Sequence, residues 1–267
     1  MDKRPIGIFD SGIGGLTVLH EIARLLPNED LVYLGDTARV PYGTKSAETV
    51  IRYSIENTRF LLAKNVKAVV VACNSASATS MAPLRAEFPL PILGVIEAGV
   101  EEALRRTRGG AIGVIGTYAT IQSGQYETLL RAAGAAEVIS QPCPLFVPLA
   151  EEGWIDNIVA EEVAKIYLEP FQRSAVDTLI LGCTHYPLLE GVIAKTCGPT
   201  VTLVNSAYAI AIKLREMLRE SGLSRGSLGG DRRFYFTDSP ERAKTVGSRF
   251  LGEDLANRIE LANLPTH

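Results

Sequence analysis

No stretch of this chain is apolar for long enough to cross a bilayer. Its most hydrophobic runs, such as VKAVVVAC from Val66, fall far short of the roughly 20 residues a spanning helix needs. The charged opening MDKRPIGIFDSG leads straight into a short strand-like run, so no secretory signal core is expected. Cysteine is scarce. Four in 267 residues make no disulfide framework, and a reducing cytoplasm is the expected compartment. Basic residues are not in excess either: 27 Lys and Arg face 30 Asp and Glu, for a net charge of −3. Phosphate binding needs concentrated cations, so no nucleic-acid partner is expected. The one basic stretch, GGDRRF around Arg232 and Arg233, reads as a solvated loop. Two phosphate-binding signatures are also missing. Gly12, Gly14 and Gly15 begin like a dinucleotide fingerprint, but Thr17 stands where the third glycine belongs, and Asp10 would repel a phosphate. No G-x-x-x-x-G-K is present. The glycines fit a tight turn where a substrate approaches the backbone.

What is present is a rhythm. Runs rich in Val, Ile and Leu recur as IGIFD from Ile6, LVYLGD from Leu31, AVVVAC from Ala68 and PILGVI from Pro91. AIGVIG from Ala111, TLILGC from Thr178 and VTLV from Val201 continue the series. Continuous apolar runs suit parallel strands covered on both faces. Between the first two, Leu16, Leu19, Ile22, Ala23 and Leu26 share a helical face, and Pro27 ends it. The class is therefore α/β. A faint internal repeat lies over this rhythm. IGIFDSG opens a unit whose later strand ends at Cys73, and IGVIGTY opens one whose later strand ends at Cys183. Ligands sit beyond the carboxyl ends of such strands, so two facing lobes would bring both cysteines to one cleft.

A free cysteine is usually a small buried hydrophobe, and Cys143 and Cys197 are read that way. Cys73 and Cys183 each follow a buried strand and precede small or hydroxyl residues (Asn74, Ser75; Thr184). A helix starting there would offer free N–H groups and favour thiolate. Asp10 ends the first strand, His185 is two residues after Cys183, and Glu151 follows the apolar PLFVPLA run. Alone, a strand-end Asp is more often an N-cap and a loop His merely exposed; convergence on one cleft changes that. Without paired C-x-x-C spacing, no metal site is expected from Cys73, Cys183 and His185.

FDSGIGGLTV, YLGDTARVPYG, ACNSASA, GVIEAG and LGCTHYPLL, in that order over residues 6 to 190, resemble the glutamate racemase family. The resemblance implies two pseudosymmetric α/β lobes, each a mainly parallel sheet flanked by helices, with the active site in the cleft between them. Residues 1–97 plus 208–267 would form one lobe and 98–207 the other. It implies a 1,1-proton transfer at Cα of glutamate without pyridoxal phosphate, other cofactor or metal. Cys73 would deprotonate D-glutamate and Cys183 L-glutamate. Asp10 would assist Cys73, and His185, backed by Glu151 or its neighbour Glu152, would assist Cys183. Asp10, Ser11, Tyr42, Gly43, Asn74, Ser75, Thr184 and His185 match the substrate-holding positions, with Thr117 and Thr120 adding hydroxyls. Racemisation needs an acid and a base on opposite faces of one carbon, which two similar thiols provide. Donors around the α-carboxylate would stabilise the carbanion.

The family usually has Thr at the position of Ser75, which keeps the hydroxyl, and Asp at that of Asn205. The chain starts almost at its first strand, so control by a peptidoglycan-precursor activator is not expected. D-Glutamate would supply the cell wall, a small molecule is the only ligand expected, and a homodimer is the expected assembly. Three rival readings remain: an aspartate or hydantoin racemase, a hydrolase using Cys183 with His185, and a non-catalytic amino-acid-binding protein.

Overall fold

The computed structural model describes residues 2–226, 229–255 and 258–264. Strand β1 (Ile6–Asp10), helix α1 (Leu16–Leu25), β2 (Leu31–Gly35), α2 (Ala47–Ala63), β3 (Ala68–Val71), α3 (Asn74–Glu87) and β4 (Ile92–Gly94) come first. Then follow α4 (Val95–Arg106), β5 (Ala111–Gly116), α5 (Tyr118–Gln122), α6 (Gln125–Ala132), β6 (Val138–Pro142), α7 (Phe146–Glu152) and α8 (Ile158–Gln172). The chain closes with β7 (Val176–Gly182), α9 (Glu190–Cys197), β8 (Thr202–Asn205), α10 (Ser206–Glu220), β9 (Arg232–Phe236), α11 (Pro240–Leu251) and β10 (Ile259–Leu261).

The strands form two sheets, ordered β10-β9-β2-β1-β3-β4 and β6-β5-β7-β8, and every pairing among the described residues is parallel. The expected α/β class with two helix-flanked parallel sheets is borne out. So is the repeat: β2-β1-β3-β4 and β6-β5-β7-β8 have the same connectivity, and Cys73 and Cys183 follow the equivalent strands β3 and β7. All residues of β1, β2, β3 and β5 are buried, as continuous apolar runs covered on both faces should be.

Three strands depart from the sequence reading. β6, β9 and β10 carry polar residues and are partly exposed, and β6 and β10 are sheet edges. Arg232 and Arg233 thus lie in a strand, not a loop, and Arg232 pairs with Glu253 at 2.5 Å. The PILGVI run is extended only to Gly94; Val95 already begins α4.

One apolar cluster joins β1 (Ile6, Ile8) to β7 (Leu179, Leu181) through α10, whose Ile210, Leu214 and Leu218 face inward. α10 packs on α1 and α4, so its apolar face is core. Under the first sheet a buried Lys67 Nζ reaches Glu29 at 2.5 Å and the carbonyls of Asp2 and Leu223 at 2.9 and 2.8 Å. Among the described residues no helix is long and apolar enough to cross a membrane.

Candidate active site

In each sheet one strand is a switch point: the chain leaves β1 for β2 on one side, then crosses to β3 on the other, and β5, β6 and β7 repeat the move. Ligands gather beyond the carboxyl ends at such a point. Ser11 after β1, Cys73 after β3, Thr117 after β5 and Cys183 after β7 all line one cavity of about 240 Å³.

Cys73 occupies the N-cap position of α3, and its thiol donates to Ser11 Oγ at 3.6 Å. The expected thiolate preference does not follow. Burial, helped by the nearby Asp10 carboxyl, pushes the Cys73 thiol up to about 12 and outweighs the helix N-terminus. Asp10 lies behind the cavity wall, with no exposed surface. Its Oδ2 accepts from the Gly12 N–H at 2.9 Å, while Oδ1 has no hydrogen-bond partner among the described residues. Burial raises the Asp10 pKa against the lowering effects of His185 and neighbouring N–H groups.

Cys183, which lines the same cavity, has its Sγ 3.8 Å from His185 Nδ1, and His185 Nε2 lies 3.0 Å from Glu151 Oε1. No α-helix begins at Cys183; a short 3₁₀ turn, Tyr186–Leu189, follows His185. Burial depresses the imidazolium, but its links to Cys183 and Glu151 prevail and hold His185 up to about 10. Thr184 Oγ1 is 3.4 Å from the same Nδ1, and Phe250 of α11 meets the ring edge-on at 5.1 Å between centroids. Gly14 comes so close that a Cβ there would lie 2.5 Å from the imidazole. The DSGIGG turn was expected to admit a substrate to the backbone; the atoms found against Gly14 are those of Thr184 and His185. Of the two glutamates, Glu151 is the one on His185; Glu152 points outward.

The other residues singled out by the sequence meet at the seam. Ser75 Oγ lies 3.1 Å from Thr117 Oγ1 and 3.3 Å from Thr120 Oγ1, and the two threonine hydroxyls are 3.1 Å apart. Thr120 is buried behind the lining. Tyr126 donates to Asn74 Oδ1 at 2.8 Å, which leaves the Asn74 amide N–H groups for a ligand. Tyr42 and Gly43 line the cavity. The Tyr42 hydroxyl already donates to Asp36 and accepts from Asn57 at 3.0 Å. Sequence reasoning missed the apolar wall of Val40, Pro41, Pro144, Val147 and Pro148, and the whole of α11. VPYG lay inside a quoted motif, but nothing in the pattern marked its apolar residues as lining.

Two half-sites, each a strand-end thiol with its own polar neighbours, on a duplicated parallel α/β scaffold define an isomerase of amino acids: the chain belongs to the Asp/Glu/hydantoin racemase family, whose model matches residues 6–213. Within that family the similarity is to glutamate racemases. The one from Geobacter metallireducens is 51% identical over 264 residues, 98% of each chain. The crystal structure of the glutamate racemase isoform RacE1 from Bacillus anthracis superposes with a TM-score of 0.95 at 40% identity, covering both chains in full. The glutamate racemase from Francisella tularensis, solved in complex with D-glutamate, gives 0.93 at 39% identity, again over both full chains.

Proposed function

We propose that this enzyme interconverts L- and D-glutamate by two-base proton transfer, with Cys183 and Cys73 on opposite faces of Cα. The observation that carries the reading is the presence of both sulfurs in one cavity, each backed by different chemistry. In the L-to-D direction Cys183, as thiolate, takes the α-proton while Cys73, as thiol, gives one to the other face. The D-to-L direction reverses these roles. The raised pKa of Cys73 suits it to hold that proton before turnover. His185, cationic up to about pH 10, balances negative charge at Cys183. Asp10, buried near Cys73, assists in the opposite sense: its carboxyl favours the protonated thiol over the thiolate. Hydroxyl and amide donors from Asn74, Ser75, Thr117 and Thr184 hold the α-carboxylate as charge develops. Ser11 and the Tyr42–Gly43 main chain complete the grip, and Thr120 steadies Ser75 and Thr117 from behind.

Residues 1–97 with 208–267 would form one lobe and 98–207 the other. D-Glutamate made here would feed peptidoglycan synthesis in the cytoplasm. The Cys183–His185–Glu151 series could also serve a cysteine hydrolase, since a nucleophile, base and orienting carboxylate are in order. That reading leaves Cys73 without a task.

The test is incubation of purified protein with L-glutamate in D₂O without added cofactor, following chirality and α-deuterium. We expect inversion with solvent deuterium at Cα, and a loss of about 10²–10⁴-fold or more in both Cys73→Ala and Cys183→Ala. Exchange with aspartate instead would assign a sister activity. Full activity in Cys73→Ala would eliminate the two-base mechanism.

A further inference from the structure

Behind His185 the site has a second layer, built by α11. Arg242 Nη2 donates to Glu151 Oε2 at 3.0 Å and lies 3.8 Å from Glu152 Oε1. One turn pair further along the same helix, Arg249 Nη1 donates to the main-chain carbonyl of Glu151 at 2.7 Å, and Phe250 packs on the imidazole. α11 is followed by β10, a strand of the first sheet, whereas α7, which carries Glu151, lies between two strands of the second. These contacts therefore cross from one half of the molecule to the other.

A carboxylate has two oxygens to place. Glu151 turns Oε1 to His185, and its side chain, 22% exposed at the end of a seven-residue helix, would otherwise be free to rotate into solvent. Arg242 takes the second oxygen and Arg249 fixes the backbone beneath it. Burial pushes Glu151 up, but His185 and Arg242 together bring its carboxyl below the usual range, so it stays ionised.

We infer that Arg242 is a positioning residue: by holding the outer oxygen of Glu151 from across the cleft, it fixes the carboxylate that orients His185 beside Cys183. This rests on the role proposed above for the Cys183–His185–Glu151 series. It makes that half of the reaction depend on α11 being seated against α7.

The experiment compares wild type, R242A, R242K, E151Q and the double variant R242A/E151Q, measuring kcat and KM with each glutamate enantiomer. Melting midpoints establish that each variant is folded. Arg242 is 56% exposed, so solvent screens its charge. The expected loss in R242A is roughly three- to tenfold in kcat, at most that of one charge-assisted hydrogen bond, with KM little changed. R242K, which keeps the cation, should recover most of it. In the E151Q background, R242A should cost nothing further. Wild-type kcat in R242A, an undiminished R242A effect in the E151Q background, or a change confined to KM would each overturn the inference. A wild type that does not racemise glutamate, or an E151Q variant as active as wild type, would instead remove the reading on which it rests.

Discussion

His185 holds its proton well above the ordinary histidine range, and this has a thermodynamic signature. Below pH 6.5 the folded and unfolded chains are both protonated there, and the full benefit of pairing with Cys183 and Glu151 is present. Between 6.5 and about 10 the folded chain keeps a proton on His185 that the unfolded chain has lost, so this group's contribution to stability falls as pH rises. Cys73, raised from 9.0 to about 12, extends the decline with the same sign. The expected slope is at most about 1.4 kcal/mol per pH unit for each such proton. Urea unfolding from pH 6.5 to 9.5 should show it, and H185N should flatten it; an equally steep fall in H185N would assign the slope elsewhere. At this scale the chemistry was largely legible, because Cys73, Cys183, Asp10 and His185 stand at the ends of apolar runs. The protonation states were not. A helix N-terminus can be guessed from Asn74 and Ser75, but the burial that outweighs it at Cys73 is made by residues far away in the chain.

Among the elements, those with uniform apolar runs could be read directly, and those that mix polar with apolar residues could not. β9 reads as RRFYF; its arginines, partly buried, hide a strand whose last three residues are fully inside. α11 begins at Pro240, 35 positions after β8 ends at Asn205, and no local signal ties it to the site. Tertiary contact alone brings Arg242, Arg249 and Phe250 to Glu151 and His185. Lys67 is a similar case. A lysine just before β3 looks like a surface residue, yet it is fully buried on Glu29 and two carbonyls. Removing the cation strands a buried carboxylate. K67M should therefore cost about 3–5 kcal/mol, read from the urea midpoint. A loss below about 1 kcal/mol would mean that the Arg225 N–H, 2.7 Å from Glu29, satisfies the carboxylate unaided.

At the scale of the whole molecule the internal repeat was the most informative feature of the sequence, since matched units predicted matched sheets and a shared cleft. How closely the two halves meet was beyond its reach. Gly43 and Thr117 touch across the seam, and a Cβ at Gly43 would lie 2.9 Å from Thr117 Cβ. Gly43→Ala should act as a wedge, displacing Thr117 from Ser75. Overpacking of this kind costs about 1–3 kcal/mol, which should weaken D-glutamate binding roughly tenfold by calorimetry. Unchanged affinity would show that the seam yields without disturbing the hydroxyl cluster.

The first sheet is also completed by distant chain. β2 pairs with β9, joining Leu31 to Arg232, and Asp36 meets Thr237 across 201 positions of sequence. During synthesis on the ribosome, the outer edge of β2 must wait unpaired while the entire second sheet is made, and open strand edges invite the wrong partners. The segment that finally closes that edge is followed at once by the helix bearing Arg242. A nascent chain released early would keep both cysteines and most of the cavity, yet it would lack both the strand that covers β2 and the arginine that reaches Glu151.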